Sequence, residues 1–153
     1  MRKLFIDGAF TDSAEGRVRK IVNPATFEVV DEVYDATPAD ARRAVVAAKE
    51  AQLAWRHQPA VERGKVLHEI ARVMREDRAL LSDLLTREGG KPRIENLDEV
   101  EWCAACFAYY AEIARNSHGN SVPPVAEHQV NFTIKEPLGV VAAIAPFNYP
   151  LLL

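Results

Sequence analysis

The run Leu138-Gly139-Val140-Val141-Ala142-Ala143-Ile144-Ala145 carries no polar side chain, and it turns at once through Pro146-Phe147-Asn148-Tyr149-Pro150. An apolar stretch with no wet face reads as a strand covered on both sides, as in a parallel sheet. Parallel pairing needs further strands and crossover connections of about a dozen residues or more. Only Leu151-Leu152-Leu153 follow the turn. The strand is therefore expected to begin a sheet that this chain does not finish, and the chain is expected to be a truncated piece of a longer one.

The upstream sequence holds a different kind of structure. Asp7-Gly8 between the short apolar runs of KLFIDGAF is a hairpin signal. Val18 to Val22 and Phe27 to Tyr34 read as two strands parted by an Asn23-Pro24 turn. Thr37, Pro38 and Asp40 then mark a helix start, as N-cap, first position and a Thr-x-x-Asp capping box. Ala41, Ala44, Val45, Ala48 and Trp55 form its apolar face, and Gln58-Pro59 ends it. A second helix is expected from the stripe of Val66, Leu67, Ile70, Val73, Met74, Leu80, Leu81, Leu84 and Leu85, stopped by Gly89-Gly90 and Pro92. A third, from Ile94 to Asn116, would bury Leu97, Val100, Ala104, Phe107, Ala111 and Ala114. Beyond the proline-rich SVPPVAE, Val130, Phe132 and Ile134 alternate with polar residues, the pattern of a half-buried strand.

Charge and composition exclude several functions. A formal net charge of -3 over 153 residues offers no basic footprint for nucleic acid or an anionic membrane. Asp7 and Gly8 break the N-terminal apolar run too early for a signal peptide, and no stretch approaches the ~20 apolar residues of a membrane span. A cytoplasmic location is expected. Cys103 and Cys106 form a lone C-x-x-C inside a helical pattern, with His57, His68, His118 and His128 scattered elsewhere. A zinc site wants a second ligand pair, so the two cysteines read as packed helix residues and no metal site is expected.

Four segments, in order, resemble the aldehyde dehydrogenase superfamily. LFIDGAF is similar to that family's opening strand, Val22 to Thr26 (VNPAT) to its N-P-A-T turn, and Arg87 to Pro92 (REGGKP) to its E-x-G-K-P helix end. The fourth match is Glu136-Pro137-Leu138-Gly139-Val140 followed by the Pro146 to Pro150 turn. The resemblance covers essentially the whole chain but only about the first third of a family member. It implies an α/β fold: a β-rich arm over 1–36 with hairpin strands, and three long helices within 37–119. A strand of the oligomerisation region would follow over 128–137, then the first strand of a Rossmann-like cofactor sheet over 138–153.

The resemblance also implies a chemistry. Family members oxidise an aldehyde to a carboxylic acid with NAD or NADP, through addition of a cysteine thiolate, hydride transfer and hydrolysis by a glutamate-activated water. By resemblance Asn148 is a side-chain donor to the alkoxide formed in the first step, and Ile144, Ala145, Pro146 and Phe147 line the nicotinamide-ribose end of the cofactor cleft. Val22 and Glu88 match positions that bind a monovalent cation in a few members. From spacing alone, Asn148 reads instead as a turn-closing asparagine. The nucleophile, general base, cofactor lysine and glycine-rich segments of the family lie beyond the matched turn, and Cys103 and Cys106 do not align with the nucleophile. The chain by itself is thus expected to be inactive, with an aldehyde as substrate and a homo-oligomer as the working form of the parent enzyme. A non-catalytic module that pairs with full-length subunits is the competing reading.

Overall fold

A computed structural model describes residues 1–153. The Asp7-Gly8 expectation holds in detail. Strands β1 (Leu4–Ile6) and β2 (Ala9–Thr11) pair antiparallel, with Asp7 and Gly8 both at positive φ (54° and 73°). Two positive φ values in a two-residue loop are the type I′ geometry that matches the strands' own twist.

Strands β3 (Val18–Val22) and β4 (Val29–Tyr34) form a second antiparallel pair, with a bulge between Ile21 and Val22. Phe27, expected in the second strand, lies in the turn at φ 62°. The turn closes early because Asn23 organises it: its carbonyl accepts from Phe27 N–H at 2.8 Å and its Oδ1 from Ala25 N–H at 2.9 Å. Arg2 extends this sheet by bridging to Val33.

Helix α1 (Pro38–Trp55) starts where expected, with both halves of the capping box formed between Thr37 and Asp40. Asp40 does more than cap. Its buried carboxylate also accepts from Ala14 N–H and Ser13 Oγ, each at 3.2 Å, and pairs with Arg43 at 2.7 Å. The loop after β2 is thereby fastened to the helix start. The apolar face expected along α1 stays largely uncovered, with Val45 and Trp55 exposed.

The expected second helix is two helices, α2 (Ala60–Glu76) and α3 (Arg78–Gly89), so the chain has four helices rather than three. They join at Asp77, whose backbone (φ −88°, ψ 12°) leaves helical geometry. Both pack against α4 (Arg93–Ile113), and the bend keeps both on it. Arg78 secures the corner by donating from Nε to Leu97 O at 3.0 Å. A short 3-10 turn, Ala114–Asn116, finishes the run.

The core lies between α2 and α4: Ala71 and Met74 face Cys103 and Ala104, with Ile70, Leu81 and Phe107 around them. Small residues let the helices approach. A Cβ on Gly64 would stand 3.1 Å from Ala111 O. Leu151 and Leu152 also pack on this cluster, so the end of the chain folds back on the helices.

The two later strands are shorter than expected. Only β5 (Ser121–Val122) and β6 (Asn131–Phe132) pair, and Val130, Phe132 and Ile134 are all exposed, so the alternating pattern has no dry face here. Residues 138–145 form no ladder, because no other strand lies alongside them. A buried-type strand sequence cannot become a sheet strand without neighbours.

Candidate functional site

Three of the matched segments converge at one end of α4. Helix α3 ends at Gly90 in the left-handed region (φ 75°), its N–H bonded to Thr86 O. A Cβ there would fall 2.6 Å from Pro24 Cγ, so the Asn23-Pro24 turn closes directly on the Gly-Gly-Lys corner. Lys91 comes next, followed by Pro92, the N-cap of α4.

Buried polar groups on α4 then build the site. Asn96 donates from Nδ2 to Thr86 Oγ1 at 2.8 Å and to Lys91 O at 3.1 Å, which fixes the backbone of Lys91. Three residues on, Glu99 is 0% exposed. Its Oε2 accepts from Lys91 Nζ. Its Oε1 accepts from the backbone N–H groups of Leu151 at 2.9 Å and Leu152 at 3.3 Å. Leu153 N–H in turn bonds to Tyr149 O at 3.1 Å, a single helical turn. The first amides of such a turn have no partner within it, and Glu99 satisfies two of them from another helix.

Lys91 reaches the Pro146 to Pro150 turn as well. Its Nζ donates to Asn148 O at 3.1 Å and sits 4.0 Å from the centre of the Tyr149 ring. Tyr149 is stacked on Trp102 of α4 at 6.2 Å between centroids. Cys103 donates from Sγ to Leu151 O at 3.2 Å. Burial pushes the Cys103 thiol up, with the neighbouring Cys106 and Glu99 acting in the same direction. A buried thiol kept protonated is a hydrogen-bond donor and not a nucleophile. Cys106, one turn on, is exposed, and both cysteines are free.

The outcome at Asn148 is a fixed backbone and a free side chain. Its carbonyl is held by Lys91, while the carboxamide makes no hydrogen bond within the chain and faces outward. Ile144, Ala145, Pro146 and Phe147 form the approach to it. Ile144 is 95% and Phe147 94% exposed, and the backbone from Leu138 to Phe147 bonds to nothing else in the chain. Val22 lies at the end of β3 and Glu88 in the last turn of α3.

Sequence reasoning singled out the Pro146 to Pro150 turn but gave no role to Lys91, Glu99, Asn96 or Trp102, the residues on and beside α4 that contact it or brace those contacts. One signal was available. Asn96 and Glu99 fall at helical spacing on the same stripe as Val100, Cys103 and Phe107, and a polar residue at a core position is the informative exception.

Against known proteins, the family model described as "Aldehyde dehydrogenase family" matches residues 10–153. The chain belongs to the aldehyde dehydrogenase family. It is 38% identical to betaine aldehyde dehydrogenase 1 of Oryza sativa subsp. japonica, over 99% of this chain and 32% of that protein. It is also 38% identical to human retinal dehydrogenase 2, over 99% of this chain and 30% of that protein. Among solved structures, betaine aldehyde dehydrogenase from Staphylococcus aureus in complex with NAD+ superposes with a TM-score of 0.94 at 35% identity, covering 99% of this chain and 31% of that one. A 3,6-anhydro-L-galactose dehydrogenase in complex with NADP gives 0.93 at 32% identity, covering 99% of this chain and 32% of that one. The chain thus spans about a third of the length of the relatives it matches.

Proposed function

We propose that this chain forms one wall of an NAD(P)-dependent aldehyde-oxidising site, in which Asn148 donates from Nδ2 to the oxygen that becomes an alkoxide when a thiolate adds to the aldehyde. The observation that carries this reading is the division of labour at Asn148: its carbonyl is anchored by Lys91 at 3.1 Å and its carboxamide is uncommitted. A carboxamide suits the task because it stays neutral at every working pH and does not compete for the thiolate's charge. A donor already fixed in place needs no reorganisation as charge develops.

Ile144, Ala145, Pro146 and Phe147 would hold the nicotinamide-ribose end of NAD or NADP, which supplies the hydride acceptor when bound. In this reading the thiolate and the general base come from family segments with no counterpart among the 153 residues, and the chain alone turns over no aldehyde. The relatives act on different aldehydes, so the substrate class is taken no further than an aldehyde. A cytoplasmic site of action is part of the same proposal.

The test is to purify the native gene product at its natural length and follow formation of reduced cofactor with a panel of aldehydes and with NAD and NADP in turn. Aldehyde-dependent reduction is the expected result. Its absence with every aldehyde would sink the proposal.

A second reading is favoured by one observation. Val130, at 84% exposed, with Phe132 and Ile134 presents an apolar edge beside β6, the kind of unpaired edge that associates with another chain. In that reading residues 128–137 pair between copies in a homo-oligomer. Sedimentation of the native product should then show an oligomer that Phe132→Lys weakens, and an unchanged oligomer would count against it.

A further inference from the structure

We infer that Lys91 and Glu99 are positioning residues for Asn148: together they lock the 146–150 turn against α4 and so set where the carboxamide points. The inference rests on the proposed role of Asn148 but adds the device that holds it. Glu99 is completely buried, and each of its carboxylate oxygens is committed. One oxygen receives Lys91, and the other receives the Leu151 and Leu152 N–H groups that begin the turn after Pro150. Lys91 then spans from Glu99 to Asn148 O and beneath the Tyr149 ring. The turn is therefore gripped on both sides of Pro150, at Asn148 before it and at Leu151 and Leu152 after it.

The choice of groups is specific. A carboxylate can accept from an ammonium and two amides at once, whereas a glutamine in the same place accepts through only one atom. An ammonium on a flexible stem can donate to a carboxylate and a carbonyl together, which a methionine of similar length cannot. With either partner gone, the Asn148 carbonyl or the Leu151 amide loses its anchor, and the carboxamide samples directions that miss the reacting oxygen. Misplacement of that kind is felt in turnover and hardly in aldehyde binding.

The experiment uses the native product at its natural length with Lys91→Met, Glu99→Gln, Lys91→Arg and Asn148→Ala, and the double variant Lys91→Met/Asn148→Ala. Hydrogen exchange is read in a peptide covering 147–153. Lys91→Met and Glu99→Gln should each speed exchange there about tenfold or more while α2 keeps its protection, and Lys91→Arg should recover part of it. In steady state, Lys91→Met should lower kcat about tenfold or more with the aldehyde KM within about twofold. The double variant should be no slower than Asn148→Ala alone, because Lys91 acts only through Asn148. Unchanged exchange in 147–153, or losses that multiply in the double variant, would overturn the inference. If Glu99→Gln unfolds the protein as a whole, Lys91→Met decides the matter. If Asn148→Ala leaves kcat untouched, it is the proposed role of Asn148 that fails, and exchange still judges whether the lock exists.

Discussion

Buried polar residues, Asp40, Asn96 and Glu99 among them, are as numerous in this chain's interior as buried apolar ones. Asp40 shows the consequence for pH. Its carboxyl is held well below the usual carboxylate range, first by the Thr37 backbone N–H, against burial, and then by the Thr37 hydroxyl, Ala14 N–H and Arg43. Asp31 is lowered to about 2 by the Glu32 N–H, Arg2 and the N-terminus. A carboxyl whose folded pKa lies below its unfolded one contributes stability that is complete above about pH 5 and drains away as pH falls through about 4 toward the folded value. Chemical denaturation from about pH 6 down to about pH 2 should therefore show falling stability, and Asp40→Asn should flatten part of that slope. An identical slope in the variant would contradict the assignment. Thr37→Ala, which removes one half of the capping box, should cost about 0.5–2 kcal/mol in the same assay. Thr37 and Asp40 were legible as a cap from their spacing. The reach of Asp40 to Ser13 and Ala14 was not, because it depends on a loop far away in sequence.

Among the elements, what could be read and what could not divides by the range of the forces involved. The hairpin at Asp7-Gly8, the start of α1, the end of α3 at Gly90 and the buried stripe of α4 are encoded within a few residues, and all were legible. The break at Asp77 was not, since the apolar stripe runs on across it and only packing against α4 demands a bend. The strand expected over 138–145 needs partners from elsewhere, and its sequence announces burial without supplying the cover. Close contact between α2 and α4 depends on Gly64 beside Ala111, where an added Cβ would stand 3.1 Å from the carbonyl. Gly64→Leu should therefore push the helices apart and cost about 1–3 kcal/mol, the usual penalty of overpacking. A thermal melt unchanged from wild type would show that the interface gives way more easily than its geometry implies. At the candidate site, the turn at Pro146 to Pro150 was legible because its signals are local. Glu99 was not, because its partners Leu151 and Leu152 lie 52 and 53 positions later.

On the scale of the whole molecule, one polar corner organises a structure with a great deal of apolar surface left open. Only 13 of 153 residues are buried, and Phe5, Phe10, Leu138, Ile144 and Phe147 are among the large apolar side chains that face outward. Surface of that kind marks interaction sites or a liability to aggregate. The 153-residue chain made on its own should bind a hydrophobic dye strongly and self-associate, and light scattering that reports a clean monomer would argue against this. No helix is long and apolar enough to cross a membrane. The open surface is spread along the chain and includes Ile144 and Phe147 just before Asn148, while the turn's inner side is clamped to α4 by Lys91, Glu99, Trp102 and Cys103. A rigid inner side and an exposed carboxamide are what a preorganised donor requires. The most direct measurement is the turnover of Asn148→Ala beside wild type in the native, natural-length protein, with aldehyde and cofactor saturating. Loss of one such donor should lower kcat by about 10²–10³ with hydrogen exchange at 147–153 unchanged. A kcat within about twofold of wild type would mean that the carboxamide does no chemistry and that Asn148 merely closes its turn.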